Sequence, residues 1–334
     1  MTDVLILGGT GWLSGRIAER WMDAGASVTC LARGTRPVPY GARLVVADRD
    51  EPEAYDAVRG RDWDEVVEVS SRSTHVAAAA AALAGDTRHL TYVSSVSVYA
   101  ANNEEGADEG ASLVEPAALG DDGDYARAKA ACEAAVRAAL PHRTAIVRPG
   151  LIGGPGDPTD RFGYWVSRFA LAEGGAVLVP DAPVVRVQVI DVDDLAAFVA
   201  ALGAAGFSGT VNAVGDPSPL PAVLAAAREA SGHTAEVVPA APDWLAAQGV
   251  QHWMGPRSLP LWLPDDMPGF ATRSNAVYRM LGGALRPLRE TLVRTLEDER
   301  ARGLDRARSA GITREDELAL IAALRSGGDL HAGG

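Results

Sequence analysis

Leu5-Ile6-Leu7-Gly8-Gly9-Thr10-Gly11-Trp12-Leu13-Ser14-Gly15 is the stretch on which the fold of this chain turns. An apolar run of strand length enters a glycine-rich turn. The turn opens into a segment with Ile17 and Trp21 four residues apart, the spacing of one helix face. Glycines let the backbone bend tightly and approach a pyrophosphate, whose charge then meets the N–H groups and positive dipole end of the following helix. Strand, turn and helix in that order mark Gly8, Thr10, Gly11, Trp12 and Leu13 as the residues that would cradle a dinucleotide.

The same alternation continues toward the middle of the chain. Val4 to Leu7, Val28 to Leu31, Leu44 to Ala47, Glu65 to Val69, Leu90 to Ser94 and Thr144 to Val147 read as strands, with helical stretches such as Gly15 to Ala24 and the Ala-rich Val76 to Leu83 between them. Helical crossovers between strands predict an α/β fold, a Rossmann-type doubly wound parallel sheet over residues 1–150. After Arg148 the chain grows richer in Pro, Trp and Gly and ends in helices. Residues 151–185 and 206–330 therefore read as a smaller C-terminal substrate-binding lobe, with a return to the sheet domain near 186–205. Thr313 and Asp316 have capping-box spacing and open a last helix carrying Leu318, Ile321 and Leu324. Residues 103–124 hold eight acidic side chains and no Lys or Arg, the character of a surface loop that lines or gates a site.

The formal charge of -13 bounds the partners. Nucleic acid and anionic membranes are bound through clustered Lys and Arg, so neither is expected as the main partner. Cys30 and Cys132 are the only cysteines and form no paired motif, so neither a disulfide framework nor a metal site is expected, and a reducing, cytoplasmic setting suits the chain. No run reaches the roughly 18 apolar residues of a membrane helix. The N-terminal apolar stretch lacks a preceding basic segment, so it reads as a strand and not as a secretion signal.

Tyr125-Ala126-Arg127-Ala128-Lys129 opens another Ala-rich helical stretch, and a spacing of four puts Tyr125 and Lys129 on one face, a turn apart. A free phenol ionises only near pH ~10. A neighbouring ammonium favours the phenolate and fits such a side chain for proton transfer near neutrality. Upstream, at the end of a strand, stands Tyr92-Val93-Ser94-Ser95-Val96-Ser97-Val98-Tyr99.

Taken together, these motifs resemble those of the extended short-chain dehydrogenase/reductases, the epimerase and dehydratase family. Gly8-Gly9-Thr10-Gly11 followed by an aromatic and an aliphatic residue is similar to their cofactor turn, Ser94 to Tyr99 to their SSxxVY segment, and Tyr125 to Lys129 to their YxxxK motif. The resemblance implies that Ser95, with Ser94 and Ser97 as near alternatives, hydrogen-bonds the substrate oxygen, that Tyr125 exchanges the proton, and that Lys129 activates Tyr125 and holds the nicotinamide ribose. Asp48 is similar to the family's adenine-contacting Asp, with a helix N-cap as the other reading. Ser70, and Pro149 within Arg148-Pro149-Gly150, fall where the chain would pass the nicotinamide. Ser14 departs from the pattern: glycine is usual there, and Gly15 comes one residue late, so the helix is expected to sit slightly farther from the strand.

Ala32-Arg33-Gly34-Thr35-Arg36 follows the second strand, where a carboxylate would take a ribose 2′-hydroxyl. Two guanidinium groups, Arg33 and Arg36, stand there instead and predict NADP(H) over NAD(H). In the family's sugar-nucleotide dehydratases an acidic pair follows the catalytic Ser or Thr. Val96 and Ser97 occupy those positions here and speak against 4,6-dehydration. The favoured reading is NADPH-dependent reduction of a ketone or aldehyde with Tyr125 as proton donor. Epimerisation of a sugar nucleotide or related hydroxylated substrate by transient oxidation is the alternative, and a non-catalytic cofactor-binding scaffold is a third. The partner is then a small carbonyl or hydroxyl compound, with Arg161, Tyr164, Arg186 and Gln188 as candidate contacts in the lobe. Ala128, Ala131, Ala135 and Ala139 line one face of the Tyr125 to Leu140 stretch, and the family's habit of pairing through this region implies a homodimer.

Overall fold

The computed structural model describes residues 1–328, so the lobe boundary read at residue 330 lies outside the described residues. The chain divides into two compact units. One is made of Met1–Gly150, Val192–Gly215 and Arg273–Leu285, the other of Leu151–Asp191, Asp216–Thr272 and the chain from Arg286 onward.

In the first unit the six expected strands form as β1 (Asp3–Leu7), β2 (Ser27–Ala32), β3 (Arg43–Val46), β4 (Trp63–Glu68), β5 (Thr87–Val93) and β6 (Thr144–Pro149). A seventh, Gly209–Ala213, pairs in parallel with β6. The order across the sheet runs from 209–213 through β6, β5, β4, β1 and β2 to β3. Strand succession therefore reverses between β1 and β4, the place where open α/β sheets bind ligands outside the carboxyl ends of their strands. Strands covered on both faces need unbroken apolar runs, and Val4, Leu5, Ile6 and Leu7 are accordingly all fully buried.

Helices α1 (Trp12–Asp23), α2 (Ser73–Leu83) and α3 (Tyr125–Ala139) belong to this unit. On α2, Val76, Ala79, Ala80 and Leu83 are buried at the spacing of a single face, and the helix packs alongside α3. The expected alanine face of α3 is mostly used at home: Ala128 is buried, Ala131 and Ala135 are half-buried, and Ala139 packs against the unit's own core. The acidic 103–124 segment is pinned rather than loose. Val114 N–H donates to the Val98 carbonyl (2.8 Å), Ala117 N–H to Arg127 (3.0 Å), and Ser274 N–H to Ala107 (3.0 Å).

The second unit is built around helix Gly163–Ala172, which packs against helices Leu220–Ser231 and Leu288–Arg302, and a parallel pair of strands, Val177–Pro180 with Val237–Ala240. Its last helix, Arg314–Gly328, starts as expected, with Thr313 Oγ1 accepting from Asp316 N–H at 3.0 Å. Its inner face differs from the expectation. Glu317, Leu320 and Ile321 are buried, while Leu318 is 49% exposed. The helix is rotated because Glu317 has partners inside: it accepts from Leu178 N–H at 3.0 Å and pairs with Arg168 at 3.4 Å. Among the described residues no helix is long and apolar enough to cross a membrane.

Candidate active site

The cofactor turn begins where β1 ends. Gly8 has φ +78°, a backbone conformation open to glycine, and its N–H ties the turn to β2 through the Leu31 carbonyl at 2.8 Å. A β-carbon on Gly9 would lie 2.4 Å from Cys30 Sγ, so no side chain fits there. Ser14, the mismatch with the family pattern, is fully buried and does not stand the helix off the turn. Its hydroxyl donates to the Gly8 carbonyl at 2.6 Å and accepts from Gly11 N–H at 3.1 Å, stitching the first turn of α1 to the loop. Gly15 does not replace the missing glycine, since a β-carbon there would make only ordinary contacts at 3.9 Å. Thr10, Trp12 and Leu13 are half-buried around this turn. Such a turn, feeding the amino end of a twelve-residue helix with no acidic side chain in its first turn, suits a pyrophosphate.

Arg33 and Arg36 follow β2, both exposed, and neither forms an ion pair among the described residues. Asp48 is exposed just beyond β3, and its carboxylate accepts from Asp50 N–H at 3.1 Å. The chain beyond it forms turns and not an α-helix, so its local role is to tighten a turn rather than to cap a helix. The neighbouring Arg49 is the surprise of this region. It is bonded to both oxygens of Glu68 at the end of β4 and donates to the Tyr55 hydroxyl (2.9 Å) and the His75 carbonyl (2.9 Å).

Lys129 lies in the second half of the site. Its side chain is buried, and Nζ donates to the carbonyls of Val93 (2.7 Å), Ser70 (3.0 Å) and Val69 (3.3 Å), which uses its three donors at the carboxyl ends of β4 and β5. It also sits 4.8 Å from the Tyr92 ring centroid. Burial pushes the ammonium down to about 8, and the nearby Glu68 and Glu133 carboxylates only partly offset it. Ser70 is thus engaged through its carbonyl, which also accepts from the Tyr92 hydroxyl at 3.0 Å.

One turn before Lys129 on α3, Tyr125 is 51% exposed, set at the start of the helix by Asp124, whose carboxylate accepts from Arg127 N–H at 3.1 Å. Ser95 lies two residues beyond β5 and caps a short 3-10 turn, Val96–Val98, that packs against α3. Its hydroxyl accepts from Ser97 N–H and donates to Ser97 Oγ, both at 3.1 Å. Pro149 is buried at the end of β6. The turn at Gly8, Ser70, Ser95 and Pro149 therefore all lie along one edge of the sheet, the carboxyl edge, with α3 presenting Tyr125 and Lys129 there.

Sequence reasoning missed the buried support beneath this edge. Glu133, a further turn along α3 from Lys129, takes Arg148 Nε at 2.9 Å and Nη2 at 2.7 Å. Burial opposes its ionisation, but Arg148 holds the carboxyl below its usual range. Arg148 also donates to the Tyr99 hydroxyl at 3.0 Å, which donates on to Asn212 Oδ1 at 2.6 Å. Arg273 lies 4.2 Å from the Tyr99 ring centroid and donates to Ala101 and Asn102. In the sequence Glu133 is only an acidic residue four positions after Lys129, with nothing to mark it as buried.

The lobe candidates in the second unit differ in exposure. Arg161 and Arg186 are half-buried, Arg161 lying 5.0 Å from the Trp253 ring centroid, and Gln188 is buried. Tyr164, read as a substrate contact, is instead an interior residue: it is 1% exposed, packs edge-on to Trp165 at 5.0 Å, and leaves no room for a β-carbon on Gly311.

A dinucleotide-type turn joined to a serine, a tyrosine and a lysine at the carboxyl edge of a parallel sheet is the arrangement of the extended short-chain dehydrogenase/reductases. The chain belongs to the NAD dependent epimerase/dehydratase family, whose model matches residues 4–215. Among solved structures it is similar to one from Burkholderia cenocepacia J2315 (TM-score 0.70, 23% identity, covering 90% of this chain and 98% of that one). It is also similar to the UDP-N-acetylglucosamine 4-epimerase of Bacillus cereus (0.67, 16%, 93% and 100%) and to the UDP-glucose 4-epimerase of Thermotoga maritima (0.65, 14%, 90% and 99%). At these identities the likeness shows the fold alone. No curated protein matches the chain.

Proposed function

We propose that the first unit carries out reversible hydride transfer between NAD(P) and a carbon bearing a hydroxyl or carbonyl, and that the net reaction is epimerisation of a hydroxylated substrate such as a sugar nucleotide. The observation that carries this reading is the clamped ammonium of Lys129, fixed by three carbonyls one turn from Tyr125. The Gly8 to Ser14 turn would hold the pyrophosphate, and Lys129 and Pro149 would flank the nicotinamide end. When bound, the nicotinamide supplies the hydride acceptor and donor. Lys129 stabilises the Tyr125 phenolate, which removes the hydroxyl proton of the substrate and returns it after the carbonyl has presented its other face. Ser95 donates to the substrate oxygen as its charge changes. Membership of an epimerase and dehydratase family supports epimerisation over net reduction.

Arg33 and Arg36 favour a second reading. Two exposed guanidinium groups beyond β2 suit a 2′-phosphate, hence NADP(H), and that cofactor goes with the reduction of a ketone or aldehyde. The two readings are separated by incubating the protein with NAD or NADP and a panel of UDP-sugars while following epimers by NMR, beside NADPH with a carbonyl panel. Interconversion of epimers without net cofactor consumption is expected. Stoichiometric NADPH oxidation with no interconversion would assign the reductase instead.

A further inference from the structure

We propose that Asp122 is a positioning residue for proton transfer, fastening the chain that leads into Tyr125 onto Ser73 at the start of α2; the inference rests on the reading of Tyr125 as the proton carrier. The bonds are direct. Asp122 Oδ1 accepts from Ser73 N–H at 2.9 Å and from Ser73 Oγ at 3.0 Å, and the same hydroxyl oxygen accepts from Gly120 N–H at 3.0 Å. Ser73 is 1% exposed, and Gly120 reaches it from a left-handed conformation, φ +88°, that suits glycine.

The sequence of α2 explains why a carboxylate arrives from elsewhere. The helix follows Arg72, which caps nothing with its side chain, and its first turn holds no acidic residue. The amino end of a helix leaves N–H groups without partners inside the helix and favours negative charge. Two carboxylates of the acidic segment share such work between neighbouring helices: Asp122 serves α2 through Ser73, and Asp124 serves α3 through Arg127 N–H.

Tyr125 therefore lies between two anchors on one turn. Lys129, four residues after it, holds the carbonyls of Val69 and Ser70, and Asp122, three residues before it, holds Ser73. Both sets of bonds fall where the chain leaves β4 and enters α2. At 51% exposed, the Tyr125 ring is not fixed by burial, so the anchoring of the first turn of α3 sets where its hydroxyl is presented. Without Asp122, only the Lys129 anchor remains on this turn.

The test separates positioning from helix capping and from turnover. Labelling the seven tyrosines with ¹⁵N gives few enough amide signals to follow, and Tyr125→Phe identifies the one that matters. The Tyr125 amide should have an order parameter of about 0.85 in the wild type and below about 0.6 in Asp122→Ala, with the other tyrosine amides unchanged. Asp122→Asn, which keeps an oxygen acceptor for both Ser73 donors, should recover most of the loss. Ser73→Ala, which removes the shared hydroxyl and leaves the backbone bond, should fall between. On whichever substrate turns over, Asp122→Ala should lower kcat on the order of tenfold to a hundredfold while cofactor Kd stays within error. An unchanged Tyr125 amide, loosening shared by all the tyrosines, an Asn variant as damaged as Ala, or an unchanged kcat would overturn the proposal. Lost order at Tyr125 in a protein whose wild type turns over nothing would uphold the anchoring and refute the hydride-transfer reading instead.

Discussion

Replacing Lys129 with methionine tests the clamped ammonium directly, through the pH dependence of stability. Burial lowers the folded lysine from its ordinary 10.5 to about 8, while the unfolded chain keeps the ordinary value. Below about pH 8 both states are charged, and the folded state bears the whole desolvation penalty. Between about 8 and 10.5 the unfolded lysine still holds its proton and the folded one has lost it, so the unfolded state binds more protons and stability rises with pH. At about 1.4 kcal/mol per pH unit, that interval amounts to about 3 kcal/mol. Buried thiols work the opposite way: Cys30, pushed up to about 11, keeps its proton when folded and lowers stability as pH rises past the ordinary thiol value. The assay is therefore a difference. Urea unfolding of wild type and Lys129→Met is followed from about pH 7 to about pH 10.5, and the variant's free energies are subtracted. The carbonyls of Val69, Ser70 and Val93 lose their donor in the variant, but that deficit is constant with pH. The difference should climb by about 3 kcal/mol in favour of the wild type. A flat or falling difference would refute the idea that this ammonium is held at the expense of its own solvation.

Four further outcomes are expected. Ser14→Ala removes the hydroxyl between Gly8 and Gly11 and should cost about 1–3 kcal/mol in thermal or chemical denaturation and weaken cofactor binding; unchanged values in both would leave the hydroxyl without a role. Arg33→Ala with Arg36→Ala should lower NADPH affinity on the order of tenfold to a hundredfold and leave NADH affinity alone, as read by fluorescence titration. Glu133→Gln strands a buried guanidinium and should destabilise the chain by about 3–5 kcal/mol, with much of that recovered when Arg148 is also replaced by Met. Tyr125→Phe should cut turnover by about 10²–10⁴ while cofactor affinity stays within error, since the ring position is kept and only the proton is lost.

β1 was legible because a strand covered on both faces is written as an apolar run, whereas β3, an edge strand with only Val45 buried, and β4 and β5, which carry charged residues, were read from short β-branched stretches set between helical ones. The seventh, Gly209–Ala213, was not, since Gly209, Thr210 and Asn212 break the run, and Asn212 is a buried polar residue whose Oδ1 accepts from the Tyr99 hydroxyl. Ser95, Tyr125 and Lys129 could be read from motif and spacing, as could the turn, whose one irregular residue turned out to have a bonding role of its own. Glu133 could not, because a carboxylate on a helix declares itself buried only through a partner on β6. Tyr164 and Leu318 misled for a related reason. The face a helix turns inward is settled by its neighbours, and Glu317 with Arg168 claimed the inner position of the last helix.

The division of the chain has a consequence for how this protein is made. The first unit is assembled from three separate stretches, and the last of them, Arg273–Leu285, leaves the ribosome only after most of the second unit has been synthesised. Until Gly209–Ala213 arrives, the flank of β6 is an unpaired strand edge, the kind of surface that invites association with other chains. Arg273, which stacks on Tyr99, is the closing stitch. Vectorial synthesis thus delays completion of the first unit until the stretch to Leu285 has emerged. A fragment ending near residue 150 would present a permanent version of that open edge, so exchanging this half between relatives requires moving all three stretches together.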